Sequence, residues 1–136
     1  MNQAIIRGFE AACAAQKRAY APYSNFKVGA AITLKSGEII TGCNIENASY
    51  GLTNCAERTA LFKVYEAGYS KNDITQLVVV ADAKRPVSPC GACRQVMAEL
   101  MNKDCPVIMM NLSGEMYISK VCELLPYQFD GDDLNV

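Results

Sequence analysis

Two short stretches carry side chains that could do chemistry: Asn54-Cys55-Ala56-Glu57-Arg58 and Ser88-Pro89-Cys90-Gly91-Ala92-Cys93-Arg94, each at the start of a helical pattern. At a helix N-terminus the unpaired backbone N–H groups and the helix dipole lower a thiol's pKa, favouring the thiolate that binds metal. Cys90 and Cys93 lie three apart, so one helical turn points them the same way, and Cys55 becomes a third ligand if the two helices lie side by side. Zinc held by only three protein ligands keeps its fourth tetrahedral position for water, whose pKa falls from about 15.7 toward 7. Glu57, close to Cys55 but not a ligand, can then take up the water's proton and pass it on. Three thiolates would leave the centre with an excess negative charge. Arg58 or Arg94 could offset it by donating to the ligand sulfurs, and Arg58 is the favoured donor.

Blander readings exist for each of these residues. A lone Cys-x-x-Cys serves equally well as a redox pair or as half of a four-cysteine structural zinc site. Glu57 alone could be a first-turn acid that complements the helix dipole. Cys55 beside Glu57 argues for catalysis, because the other cysteines do not come in pairs. Cys13 falls on the apolar side of a helix, Cys43 in a strand, and Cys105 and Cys122 are isolated, so these four read as small hydrophobes.

The composition narrows the class of protein. At 136 residues the chain is expected to form one domain, residues 1–136, around a single core. Thirteen basic against fourteen acidic residues, with no basic run and no Trp, disfavour a nucleic-acid partner. No window approaches the roughly 18 apolar residues of a membrane span, and no export signal is evident. With an odd seven cysteines, the expectation is a soluble cytoplasmic protein with reduced thiols. The absence of histidine removes the imidazole base, the Ser-His and Cys-His nucleophile pairs and the His metal ligand.

The elements that must position the two stretches follow from periodicity. Ile5, Phe9, Ala12, Cys13 and Ala19 recur at helical spacing from Ala4 to Tyr20, with Pro22 as the stop. Phe26 to Lys35 alternates as a strand, Ser36 and Gly37 turn, and Glu38 to Ile45 returns, with Gly42 as a weak point or bulge. Asn54 is placed to cap a helix that Gly68 ends. Gln76 to Ala81 is a strand buried on both faces. Ser88 and Pro89 start a further helix, with Pro at its first position. Strands at Pro106–Asn111 and Glu115–Ser119 and a short helix near Val121–Leu125 follow. This order predicts an α/β fold: a mixed five-stranded sheet with helices on both faces, a three-layer α/β/α sandwich.

From Tyr20 to Leu125 the chain resembles the cytidine deaminase family. The resemblance rests on Tyr20-Ala21-Pro22-Tyr23-Ser24, Phe26-Lys27-Val28-Gly29-Ala30-Ala31, Gly42-Cys43-Asn44-Ile45-Glu46-Asn47, Cys55-Ala56-Glu57-Arg58, Ser88-Pro89-Cys90-Gly91-Ala92-Cys93-Arg94-Gln95 and Glu123-Leu124-Leu125-Pro126. The zinc-deaminase signature, with its non-ligand Glu, is a known pattern. It looks like the short, all-cysteine branch, which implies a homotetramer with one Zn2+ per subunit on Cys55, Cys90 and Cys93, Glu57 as the proton shuttle, and deamination of cytidine and deoxycytidine in pyrimidine salvage. By the same resemblance Asn44, Ile45 and Glu46 bind the nucleoside, Asn44 and Glu46 through the ribose hydroxyls. Phe26 lines the pyrimidine pocket, Ala56 offers backbone groups to the base edge, Phe129 reaches a neighbouring subunit's site, and Tyr50 contributes across an interface. From residues alone, Asn44 and Glu46 read as an ordinary strand-end pair and Phe26 as part of a strand's buried face. Deaminases of nucleoside antibiotics, nucleotides or nucleic acids share the metal motifs; a small zinc-stabilised interaction module without catalysis is the rival of a different class.

Overall fold

The computed structural model describes residues 2–134. Helix α1 spans Gln3–Gln16, with Asn2 capping it by accepting the Ile5 N–H at 2.9 Å. Strands β1 (Val28–Leu34) and β2 (Ile39–Cys43) form the hairpin that the alternation predicts, turning at Gly37, whose φ of 91° suits glycine. Helix α2 (Ala56–Glu66), strand β3 (Ile74–Ala81), helix α3 (Gly91–Leu100), strands β4 (Pro106–Asn111) and β5 (Met116–Lys120) and the short α4 (Val121–Leu124) follow. The sheet order is β2-β1-β3-β4-β5, with β3 and β4 parallel and the other neighbours antiparallel.

The central strands are apolar on both sides because both faces are covered. Ala31, Val78, Val80, Ile108 and Met110 cluster with Ile5 and Ala12 of α1. On the other face Ala30, Ile32, Leu77, Val79 and Val107 cluster with Ala60, Leu61 and Val64 of α2 and Met97 of α3. Each fully buried Val, Leu, Ile or Met in these layers contributes about 1.5–3 kcal/mol relative to exposure, so the layers fix where the helices sit. This is the three-layer α/β/α sandwich expected, and its mixed sheet has the expected five strands.

Two local expectations need correction. Helix α1 ends at Gln16 rather than Tyr20, because Tyr20 leaves to run beside the end of β2. Its N–H donates to the Asn44 carbonyl at 3.0 Å, and its carbonyl accepts the Glu46 N–H at 2.8 Å. That pairing draws the Tyr20–Phe26 loop onto the segment after β2. Gly42, in turn, is not a bulge: the β1–β2 register runs unbroken from Gly29 opposite Cys43 to Thr33 opposite Ile39, and the irregularity lies between Thr33 and Leu34 on the β3 side. Gly42 instead lets α2 approach the sheet, since a Cβ there would sit 2.5 Å from the Ala60 nitrogen and 2.6 Å from the Ala56 oxygen.

Gly42→Ala should therefore push α2 off the sheet and cost about 1–3 kcal/mol of stability or more in a urea titration. Gly51→Ala, where a Cβ meets nothing within 4 Å, should stay within about 0.5 kcal/mol. Equal costs at the two positions would show that close approach is not what Gly42 provides.

Candidate metal centre and active site

Helix α2 follows β2 and helix α3 follows β3, so both helices begin at one end of the sheet, and α3 is the crossover of the parallel β3–β4 pair. Such a crevice beyond strand carboxyl ends is the usual ligand position in open α/β sheets. The expected caps differ in detail: Cys55 and Cys90 are themselves the N-caps, one residue after Asn54 and two after Ser88, so Pro89 precedes the helix instead of taking its first position. Both have extended backbone (φ −78°, ψ 158° and φ −69°, ψ 170°), and neither side chain makes a capping hydrogen bond. At the cap the side chain projects off the helix end instead of lying along it, leaving the sulfur free for other partners. Asn54 is used differently: its side chain donates to Thr59 Oγ1 at 3.2 Å and its backbone pairs with Ile45.

The sulfurs of Cys55, Cys90 and Cys93 lie within 4.8 Å of one another, the one such group of potential ligands among the described residues. Cys55 Sγ and Cys90 Sγ are 3.8 Å apart. Two sulfurs on a tetrahedral zinc, each at about 2.3 Å, would stand about 3.8 Å apart, so the spacing fits a shared metal. All seven cysteines are free. Arg58 Nη2 donates to Cys55 Sγ at 3.2 Å, while its buried Nε has no protein partner among the described residues. Hydrogen bonding from Cys93, then from Arg58, draws the Cys55 thiol down to about 5 against the opposing effect of burial. Cys93 is pushed up, because its proton is held toward Cys55 and it is buried. Without a cation the cluster thus favours one thiolate at Cys55, supported by Arg58.

Glu57 is 5 % exposed, and burial, with a smaller contribution from the Cys55 charge, raises its carboxyl to about 7. A carboxyl poised near neutrality can both accept and give a proton. It opens on a cavity of about 260 Å3 shared with Cys55, Cys90, Ala56, Phe26, Asn44 and Glu46. Phe26 precedes β1 instead of starting its buried face; it is 42 % exposed and lines this cavity.

Asn44 and Glu46 are not loose strand-end side chains. The Asn44 amide donates to the Phe26 carbonyl and accepts the Val28 N–H, both at 2.8 Å, which fixes the backbone on either side of Lys27. The Glu46 carboxylate accepts the backbone N–H groups of Tyr23 (2.9 Å) and Ser24 (3.1 Å) and the Ser24 hydroxyl, and these bonds hold it below the usual carboxylate range. Ile45, bridged to Tyr20 and Asn54, is largely exposed and does not line the cavity. Phe129 is 56 % exposed and stays outside its own chain's cavity, its carbonyl accepting Gln95 Nε2 at 2.8 Å. Tyr50 is exposed and borders an adjoining hollow with Tyr23 and Glu46.

Sequence reasoning did not assign Ser24, Val28, Thr53, Val87 and Ser88 to the cavity wall, which they help line. Ser24, Val28 and Ser88 lie inside the quoted motifs, which is a usable signal. Thr53 and Val87 carry none. Arg94, the second candidate donor to sulfur, donates instead to the Pro89 carbonyl, the Leu124 carbonyl and Ser88 Oγ.

Three thiols at two helix ends, with a buried glutamate in a cavity beside them, make a group within an α/β/α sandwich that could hold a metal ion next to a proton acceptor. The model of the cytidine and deoxycytidylate deaminase zinc-binding region matches residues 3–109. The chain belongs to this family of zinc-dependent deaminases, and Cys55, Cys90 and Cys93 form a cluster able to hold the metal ion. It is 59% identical over 121 residues to the cytidine deaminase of Halalkalibacterium halodurans, covering 89% of this chain and 90% of that one. It is 51% identical over 121 residues to that of Sporosarcina psychrophila, covering 89% and 88%. The crystal structure of cytidine deaminase from Burkholderia pseudomallei superposes with a TM-score of 0.90 at 49% identity, covering 95% of this chain and 100% of that one.

Arg58→Ala should weaken zinc binding by about 10–100-fold, read by competition with a chromophoric chelator, because the sulfurs would lose their donor. Unchanged zinc affinity and turnover would remove Arg58 from the centre.

Proposed function

We propose that the protein hydrolyses cytidine and deoxycytidine to uridine and deoxyuridine with release of ammonia, as a cytoplasmic homotetramer in pyrimidine salvage. The observation that carries this reading is the placement of Glu57 in one cavity with Cys55 and Cys90 of the thiol cluster and with Phe26, Asn44 and Glu46. When bound, the zinc makes a water nucleophilic at neutral pH. Glu57 would accept one proton from the attacking water at its carboxylate and donate it to the ring nitrogen next to the aminated carbon, then take the second proton from the hydroxyl so added to that carbon and give it to the amine, which leaves as ammonia while the carbonyl forms. Water and cytidine together supply every atom of uridine and ammonia, so no redox partner is needed.

Phe26 stacks on or borders the flat pyrimidine, whose apolar faces match an aromatic wall. Ala56, at the first turn of α2, offers backbone groups to the base edge. Glu46, fixed and charged through Tyr23 and Ser24, accepts sugar hydroxyls and repels a 5′-phosphate, which favours nucleosides over nucleotides. The Asn44 amide keeps a second N–H beyond the one given to Phe26, and this can reach a sugar oxygen. The lack of any described helix long and apolar enough to cross a membrane, with seven free thiols, supports the cytoplasmic placement. Phe129, Tyr50 and Leu52 leave apolar side chains exposed, which supports assembly of several copies of a single 1–136 domain.

Glu57→Gln keeps the shape of the side chain and removes the proton transfer. It should lose at least about a hundredfold in kcat on cytidine while retaining its zinc, followed by the absorbance change on conversion to uridine and by metal analysis. A variant that turns over normally would end the proton-shuttle assignment. Intact protein that binds zinc and leaves cytidine untouched would end the substrate assignment.

A further inference from the structure

Arg94 lies next to the ligand Cys93 in the first turn of α3, yet its guanidinium makes no bond to sulfur. It donates through Nε to the Pro89 carbonyl at 2.8 Å, through Nη1 to the Leu124 carbonyl at 2.8 Å and through Nη2 to Ser88 Oγ at 2.5 Å. The next residue, Gln95, donates to the Phe129 carbonyl at 2.8 Å. One turn of α3 thus ties the loop that enters the metal ligand Cys90 to the end of α4 and the tail beyond it. The planar fork of arginine can serve three acceptors in different directions at once, which the single ammonium of lysine does less well.

The bond to Ser88 has a directional consequence. Its hydroxyl oxygen accepts a charged donor, so its own proton points away from Arg94. Ser88 lines the cavity beside Cys90, Glu57 and Phe26. A hydroxyl that accepts from a cation is a stronger donor than a free one, because successive hydrogen bonds polarise one another.

We propose that Arg94 is a positioning residue: it fixes the Ser88 wall of the cavity against the metal-ligand loop and orients the Ser88 hydroxyl as a hydrogen-bond donor to the bound pyrimidine nucleoside. The assignment deepens the reading of the site as a cytidine deaminase and rests on it. Ser88 touches substrate, and Arg94 acts through Ser88. The interaction is made in the ground state and kept in the transition state, so its loss appears in KM more than in kcat.

The test is steady-state kinetics on cytidine for the zinc-loaded wild type, Ser88→Ala, Arg94→Lys and the double variant, with zinc content measured on each. Arg94→Lys keeps the charge and guards against loss of fold, and the exposed Ser88→Ala is a safe change for stability. Each single variant is expected to raise KM roughly tenfold, with kcat within a few-fold and zinc unchanged. The double variant should be no worse than the weaker of the two singles, because both remove one coupled interaction. An unchanged KM in Ser88→Ala, or losses that multiply in the double variant, would overturn the proposal. A wild type that does not deaminate cytidine would overturn the substrate reading instead, a result distinguishable from the first because it appears before any substitution.

Discussion

Three sulfurs within 4.8 Å of one another cannot all carry charge unless a cation sits among them. In the protein alone, one thiolate at Cys55 is favoured, with hydrogen bonds from Cys93 and Arg58, and the Cys93 proton becomes hard to remove. A divalent cation reverses that balance, since it attracts all three sulfurs at once, and the helix N-termini and Arg58 take part of the remaining negative charge. Much of the surrounding structure serves this grouping. The two helices must begin side by side, their first side chains must leave the helix instead of capping it, and the sheet must hold both helices at a fixed distance.

The sheet does this through close approach as much as through bulk. The missing side chain of Gly42 lets the backbone of α2 rest on β2, and the paired apolar layers lock α2 and α3 against β1, β3 and β4. Glu57 is buried as a result of the same packing, and burial is what brings its carboxyl up to about 7, into the range where it can exchange protons. The thiol cluster and the buried carboxyl of Glu57 are therefore two consequences of one placement of α2. On the other side of the cavity, Asn44 and Glu46 use hydrogen bonds to the backbone of the Tyr23–Val28 segment to hold Phe26 at the rim.

Much of this was legible in the sequence because it is periodic or chemically rare. The Leu77–Val80 run and the alternation from Val28 to Leu34 predict central strands, and the lack of histidine beside Cys55, Cys90 and Cys93 predicts an all-thiolate centre. The parts that were misplaced depend on contacts far apart in the chain. Nothing local in Lys17–Tyr20 says that the helix stops at Gln16; the stop comes from Tyr20 pairing with Asn44 and Glu46. Asn54 has the better side chain for a cap, yet Cys55 takes the cap position because the metal site is built from sulfurs that project off the helix. Gly42 reads as a weak strand residue until the helix above it is known. Arg94 and Arg58 are alike in sequence, and their separate partners, carbonyls and a hydroxyl for one and sulfur for the other, emerge only in three dimensions.

Three cysteines around one zinc, with the fourth position open beside Glu57, would give the metal a distinct set of neighbours. X-ray absorption at the zinc edge of the metal-loaded protein measures this directly. One zinc per chain, with three sulfur neighbours and one lighter atom, oxygen or nitrogen, is the expected result. Four sulfur neighbours would mean a closed structural site with another thiol recruited, and the catalytic reading of the cluster would be contradicted.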